Sequence, residues 1–322
     1  MAAVRIAVVG AGAMGSVYAA LLASAGNAVS VVDLDEAHVD AIRTRGLQVT
    51  GVSGDRTVAL EATTDPADVG EVDLVVIATK SMNAGAAARS AGPLIGAGTT
   101  VLTIQNGLGA ADEVAEAVAA EQLMVGVAGG FGASIVAPGH AHHHGMELVR
   151  VGERSGPASE RTERIADVWR GAGFAVKTYD DVERMQWEKL ICNVCYSGIC
   201  GLLEVTIGGV LESPDAWAVG SRCAREALDV GRACGVRLEI EDCETYVRDY
   251  GLPIRGARPS VLLDLLAGRR CEVEWIHGSV ARKGKEVGVP APANELVTAL
   301  VLAKQAARGV SRSTSPSRRT EA

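Results

Sequence analysis

The feature that most constrains this chain is Gly10-Ala-Gly12-Ala-Met-Gly15, which follows directly on the apolar run at residues 6–9. A short apolar run broken by glycine reads as a buried strand, and the stretch at residues 14–25 reads as a helix. In a strand, glycine turn and helix, each glycine has its own task. Gly10 permits the tight turn off the strand. Gly12 leaves the backbone open to a pyrophosphate, because no Cβ stands in the way. Gly15 lets the helix pack closely on the strand. The helix start then offers the amides of Ala13, Met14 and Gly15, and the positive end of the helix dipole, to phosphate. A helix stop, Gly26-Asn27, precedes a second β-like run at residues 28–32 that ends in Asp33, 18 residues beyond Gly15. A carboxylate there is placed to accept hydrogen bonds from both hydroxyls of an adenosine ribose. A secretory signal fits less well: only Arg5 is basic, and three glycines interrupt the apolar stretch.

Residues 1–181 alternate β-like runs with helical stretches, whereas residues 182–309 are mostly helical. The expected fold class is therefore an α/β N-terminal Rossmann-type dinucleotide-binding domain followed by an all-α C-terminal domain, with substrate held in the cleft between them. Within the first domain a helix is expected at 35–46 and short edge strands at 47–60. Buried strands are expected at 73–78, leading into Thr79-Lys80-Ser81, and at 99–104, leading into Gln105-Asn106-Gly107. A helix is expected at 112–120, and strands at 124–127 and 132–136. Helices in the second domain are expected at 183–203, 213–234, 241–250, 260–267, 272–287 and 294–308, the last capped by Asn294. The Ser/Arg-rich stretch 310–322 is expected to be disordered.

The 322 residues are enough for two cores, and with aromatics at 3% those cores must rest on Ala, Val, Leu and Ile. A net charge of −8 argues against a nucleic-acid partner. No apolar run approaches the roughly 20 residues of a membrane span, so a cytoplasmic protein acting on a small molecule is expected. Seven cysteines, an odd number, lie in a chain too long to need staples. Cys192, Cys195 and Cys200 read as small buried side chains on a helix, not as a metal site. Four of the six histidines fall at residues 140–144. Strand alternation would part His142 and His144 from His143, and no carboxylate pair or cysteine completes a site. No metal is expected.

Reducing a carbonyl requires a proton donor for the oxygen and donors for any substrate carboxylate. Lys189 and Asn193 are four apart on one expected helix and share a face, which Ser197 continues. The sequence around them is small and apolar. A lysine there loses water around its ammonium, which favours giving up a proton; a lysine whose amine reaches out to solvent is the plainer alternative. Ser260 and Glu272 are twelve apart, or roughly 18 Å along a straight helix. Gly268 offers the break that would let Glu272 open a second helix, where a carboxylate also commonly serves to stabilise the helix start.

With these blocks in place, the chain resembles the ketopantoate reductases, or 2-dehydropantoate 2-reductases, over about residues 4–305. The resemblance is carried by the glycine turn, Ala78-Thr79-Lys80, Gln105-Asn106-Gly107, Pro138-Gly139, Trp187-x-Lys189-x-x-x-Asn193, and Ser260 followed by Glu272-Val-Glu-Trp-Ile-His-Gly278. It implies hydride transfer from NAD(P)H to a 2-oxo acid, 2-dehydropantoate to pantoate in pantothenate biosynthesis. It further implies Lys189 as general acid and Glu272 as the carboxylate that holds the reacting hydroxyl at the cofactor edge. Asn193, Ser260 and Asn106 match substrate positions, Asn106 also lying at the nicotinamide, and Lys80 matches a cofactor-side lysine.

Three departures stand out. Ser197 occupies a position where the family usually has asparagine, and His277 one where it often has asparagine. Both bear on which 2-oxo acid fits, because a buried donor set is tuned to particular hydroxyls. Asp33 stands near where the family's basic residue meets the 2′-phosphate of NADPH, so NADH is expected to be favoured. An NAD-dependent D-2-hydroxy-acid dehydrogenase on the same scaffold is the alternative within enzymes. A non-catalytic NADH-binding sensor is the alternative of another class. The helical domain could support a homodimer.

Overall fold

The computed structural model describes residues 3–311 apart from 131, 146 and 147. From residue 312 the expected disordered stretch lies outside the described residues. Contacts divide the chain into two compact units, residues 1–189 and 190–322. The division falls inside the helix Val182–Leu203.

The first unit is built on an eight-stranded sheet. In chain order its strands are β1 (Arg5–Val9), β2 (Ala28–Val32), β5 (Glu61–Thr63), β6 (Leu74–Ile77), β7 (Thr100–Thr103), β8 (Leu123–Gly129), β11 (Leu148–Glu153) and β12 (Val176–Thr178). Their spatial order is β12-β11-β8-β7-β6-β1-β2-β5. From β8 to β5 every neighbour is parallel, and β11 joins β8 antiparallel. Ile6–Val9 and Leu74–Ile77 are almost wholly buried, as continuous apolar runs in a sheet covered on both faces must be. The chain leaves β1 for β2 on one side, and β6 lies on the other. The glycine turn thus opens at the switch point of the sheet, where open α/β folds take their ligands.

Residues 47–58 correct one expectation. β3 (Leu47–Gly51) and β4 (Arg56–Val58) do not edge the large sheet. They join β9 (Gly132–Ala137) and β10 (His140–Gly145) in a second sheet, ordered β4-β3-β10-β9. The reason is a period-two pattern that sends Leu47 and Val49 inward, both fully buried. Helix α1 (Ala13–Ser24) packs against strands of both sheets, which is why it is apolar nearly all round, with Gly15 to Leu22 buried without a break. Helix α2 (Glu36–Arg45) starts on Asp35, whose side chain accepts from the His38 amide. Helix α3 (Ala84–Ser90) follows β6. Helix α4 (Ala110–Ala115) starts earlier than expected, straight after Gly109, whose φ of +103° ends the preceding loop. Helix α5 (Glu160–Gly171) is held by a reciprocal Ser159–Thr162 cap.

Helix α6 (Val182–Leu203) runs through the division. The second unit continues with α7 (Ile207–Glu212), α8 (Pro214–Ala233), α9 (Cys243–Gly251), α10 (Ser260–Leu266), α11 (His277–Val287) and α12 (Pro292–Ala307). α8 touches α7, α9, α11 and α12. Two helix starts differ from expectation. α11 begins at His277 rather than residue 272, because the Glu272 carbonyl first accepts from the amides of Trp275 and Ile276, winding residues 272–276 into turns. α12 begins at Pro292, so Asn294 lies inside its first turn and is not its cap; the Glu226 carboxylate accepts from the Ala293 and Asn294 amides instead. Six of the seven cysteines are buried. Burial raises the thiols of Cys200 and Cys223 to about 12, so they serve as inert packing. Among the described residues no helix is long and apolar enough to cross a membrane.

Candidate active site

In the first unit the glycine turn is shaped by three different constraints. Gly10 has a φ of +96°, and a Cβ there would meet the Thr79 amide nitrogen at 2.7 Å, so the turn after β1 presses on the loop after β6. At Gly15 a Cβ would come within 1.9 Å of the Gly10 carbonyl oxygen, so only glycine lets α1 approach the turn. At Gly12 a Cβ would meet nothing within 4 Å. The protein itself does not require glycine there, and the open space fits a pyrophosphate lying against the backbone. Gly12 is also the N-cap of α1 and offers no side-chain cap to the amides that follow. Ser16 Oγ donates to the Ala11 carbonyl at 2.7 Å and holds the turn. Buried His38 accepts from the Gly139 amide at Nδ1, which leaves Nε2–H to donate to Ser16 Oγ.

Asp33, half-buried at the end of β2, takes the Ala11 amide on Oδ2 at 2.5 Å and the Asp35 amide on Oδ1 at 2.9 Å. The carboxylate is thereby fixed beside the glycine turn, and each oxygen keeps a second lone pair. The two loops expected to face ligand are tied together. Ser81 Oγ donates to the Asn106 carbonyl at 3.0 Å, and Gln105 Nε2 donates to the carbonyls of Ile77 and Thr79. Lys80 and Asn106 are half-buried on these loops. In sequence Gln105 stands out only as part of Gln105-Asn106-Gly107; its role as the pin between loops depends on strand neighbours that spacing along the chain does not reveal.

Lys189 is 8% exposed. Its Nζ lies beside the end of β8, where a Cβ on Gly129 would be 3.7 Å away. A lysine reaching out to solvent is therefore excluded. The start of α6 is seated by Val182 and Met185, packed with Val125 and Val127 of β8 and Ala111 of α4.

In the second unit, α6 carries half-buried Asn193 and buried Ser197 four residues apart on one face. Glu272 is 6% exposed in the turn before α11. Ser260 is exposed as the first residue of α10. Gly268, with a φ of +63°, makes the expected break after that helix. His277 is fully buried, and both ring nitrogens are engaged by the protein: Nε2 accepts from the Gly198 amide at 3.2 Å, and Nδ1 meets Asn294 Oδ1 at 3.0 Å. Both ring nitrogens are thus turned to the protein rather than to a ligand. A cavity of about 590 Å³ lined by Arg225, Asp229, Glu241 and Arg248 contains none of the expected site residues.

The histidine strand alternates as expected. His140 and His142 share Thr50 Oγ1, His144 pairs with Ser134 Oγ, and His143 is buried on the other face. Among the described residues no three metal-ligating groups converge.

Comparison with known proteins shows the family. The family profile described as "Ketopantoate reductase PanE/ApbA" matches residues 6–156, and that described as "Ketopantoate reductase PanE/ApbA C terminal" matches residues 181–305. A 2-dehydropantoate 2-reductase of Streptococcus pyogenes serotype M3 is 30% identical over 300 residues, 93% of this chain and 97% of its own length. The crystal structure of a PanE/ApbA family ketopantoate reductase from Ralstonia eutropha JMP134 superposes with a TM-score of 0.85 at 30% identity, covering 95% and 99% of the two chains. D-mandelate dehydrogenase, in its ternary structure with NADH and anilino(oxo)acetate, superposes with a TM-score of 0.89 at 26% identity, covering 95% and 100%.

Proposed function

Because the chain belongs to the ketopantoate reductase family, we propose that it reduces a 2-oxo acid of ketopantoate type with NAD(P)H, Lys189 giving the proton. It is an NAD(P)-dependent oxidoreductase acting on a CH–OH/C=O pair. When bound, the nicotinamide supplies the hydride. The chain's own groups do the rest. Gly10, Gly12 and Gly15 with the first amides of α1 bind the pyrophosphate, and Asp33 takes the ribose hydroxyls. Lys80 and Asn106 stand on the loops beside the cofactor. Asn193, Ser197 and Ser260 hold the acid, and Glu272 orients the hydroxyl that forms.

The observation that carries this reading is the burial of Lys189 against Gly129 of β8. A buried amine held beside the parallel sheet has a fixed direction, as a group that hands a proton to a developing alkoxide needs. Asp33 supports NADH over NADPH: a carboxylate fixed by two backbone amides repels a 2′-phosphate. A second reading, a D-2-hydroxy-acid dehydrogenase for a bulkier acid, is favoured by Asp33 and by the smaller Ser197.

The test mixes the protein with NADH or NADPH and a panel of 2-oxo acids, following loss of the reduced nicotinamide's absorbance. Ketopantoate is expected to be turned over. NADH should be preferred by roughly tenfold, the equivalent of about 1.4 kcal/mol of charge repulsion. A higher kcat/KM for an aryl 2-oxo acid would favour the second reading. Binding of NADH without turnover of any acid would leave only a sensor.

A further inference from the structure

The C-terminal unit contains an unbroken chain of polar groups bonded to one another inside the protein. Its centre is His277, the first residue of α11, with no exposed surface. The Gly198 amide can only donate, so His277 Nε2 must be the acceptor of that 3.2 Å bond and the ring proton must sit on Nδ1. Nδ1–H then donates to Asn294 Oδ1 at 3.0 Å. Asn294 Nδ2 donates to the Cys223 carbonyl and to Glu226 Oε2, both at 3.0 Å. The Glu226 carboxylate also receives the Ala293 and Asn294 amides and Arg222 Nε, each at 3.1 Å. Every member has the partners its chemistry demands, and α6, α8, α11 and α12 are all tied to one imidazole.

The two ends of the His277 contact are informative. Gly198 follows Ser197 directly and lies five residues after Asn193 on α6. His277 follows Glu272 by five residues, and the intervening turns are closed by bonds from Trp275 and Ile276 to the Glu272 carbonyl. Contact at Gly198 is close: a Cβ there would stand 2.6 Å from Nε2 and 2.3 Å from Val297 Cγ1, so the helix backbone itself rests on the ring. We propose that His277 is a positioning residue, which sets the spacing between the α6 stretch bearing Asn193 and Ser197 and the turn bearing Glu272. The inference rests on the reading of these three as substrate groups. Asn294 and Glu226 hold the ring in the tautomer that the Gly198 amide needs.

The test uses the full chain with His277→Asn and His277→Gln. Asparagine is too short to meet the Gly198 amide. Glutamine is long enough to present an acceptor where Nε2 stands. For His277→Asn, KM for the 2-oxo acid should rise roughly tenfold, as loss of one buried hydrogen bond allows, while NADH affinity is unchanged. Backbone amides of residues 193–201 and 271–276 should exchange hydrogen faster. His277→Gln should return KM and exchange most of the way to wild type. A His277→Asn protein that loses only melting temperature, with KM and exchange in both segments intact, overturns the proposal. If the wild-type protein reduces no 2-oxo acid, the activity reading fails by itself. Exchange then decides the positioning: paired loosening of the two segments upholds it, and unaltered exchange overturns it. If His277→Asn does not fold, His277→Gln decides on the same measurements, a raised KM despite wild-type exchange at residues 193–201 overturning the proposal.

Discussion

Lys189 is the side chain that the proposed chemistry turns on, and its burial makes a clean substitution available. Methionine has nearly the same length and no charge, so Lys189→Met keeps the packing against β8 while removing the proton donor. Turnover should fall by roughly 10²–10⁴-fold, the usual contribution of a positioned acid, with NADH affinity unchanged by fluorescence titration. Unaltered turnover would remove Lys189 from the mechanism. Spacing alone placed Lys189, Asn193 and Ser197 on one face, because a helix repeats every 3.6 residues. It could not say that the lysine is buried, since that depends on β8 and α4 arriving beside α6. His277 shows the reverse. In sequence it reads as a substrate-side substitution, yet both its ring nitrogens are turned to the protein.

The strand–turn–helix element separates folding from binding at neighbouring glycines. Gly15→Ala would drive a Cβ into the Gly10 carbonyl and should cost about 1–3 kcal/mol of stability, as overpacking does. Gly12→Ala meets open space and should change stability by less than about 0.5 kcal/mol. The same methyl would stand where pyrophosphate approaches. NADH affinity should therefore fall by roughly tenfold to a hundredfold for a clash of about 1–3 kcal/mol. Urea unfolding and NADH titration of the two variants check the contrast. A Gly12→Ala protein with wild-type affinity would mean that the turn does not hold the phosphates. The motif was readable because its glycines answer to local backbone geometry. Which glycines answer to the protein's own packing became visible only with the Thr79 loop and α1 in place.

For the molecule as a whole, buried neutral His277 links stability to pH. Burial pulls its pKa from 6.5 to about 4, outweighing the bond to Asn294. The unfolded chain therefore binds this proton more readily than the folded one. The contribution is complete above about pH 6.5 and is lost as pH falls towards 4. Its full size is about 3 kcal/mol at 1.36 kcal/mol per unit. Urea midpoints from about pH 7.5 down to about 4.5, which covers most of that window, compared with His277→Gln, should show wild type losing stability faster. His143 and His144, also lowered by burial, act with the same sign in both proteins and cancel. Parallel curves would refute the linkage. The sequence by itself determined what depends on neighbours along the chain: the glycine turn, the acid after β2, the apolar strands, the face of α6 and the helical second half. Tertiary structure alone decided that residues 47–58 build a separate sheet, that α11 starts at His277 rather than Glu272, and that Asn294 serves an imidazole instead of a helix end. For residues 47–58 and Asn294 the deciding pairing or hydrogen bond comes from residues far away in sequence, and for α11 it comes from a local turn at Glu272; periodicity carries no information about either.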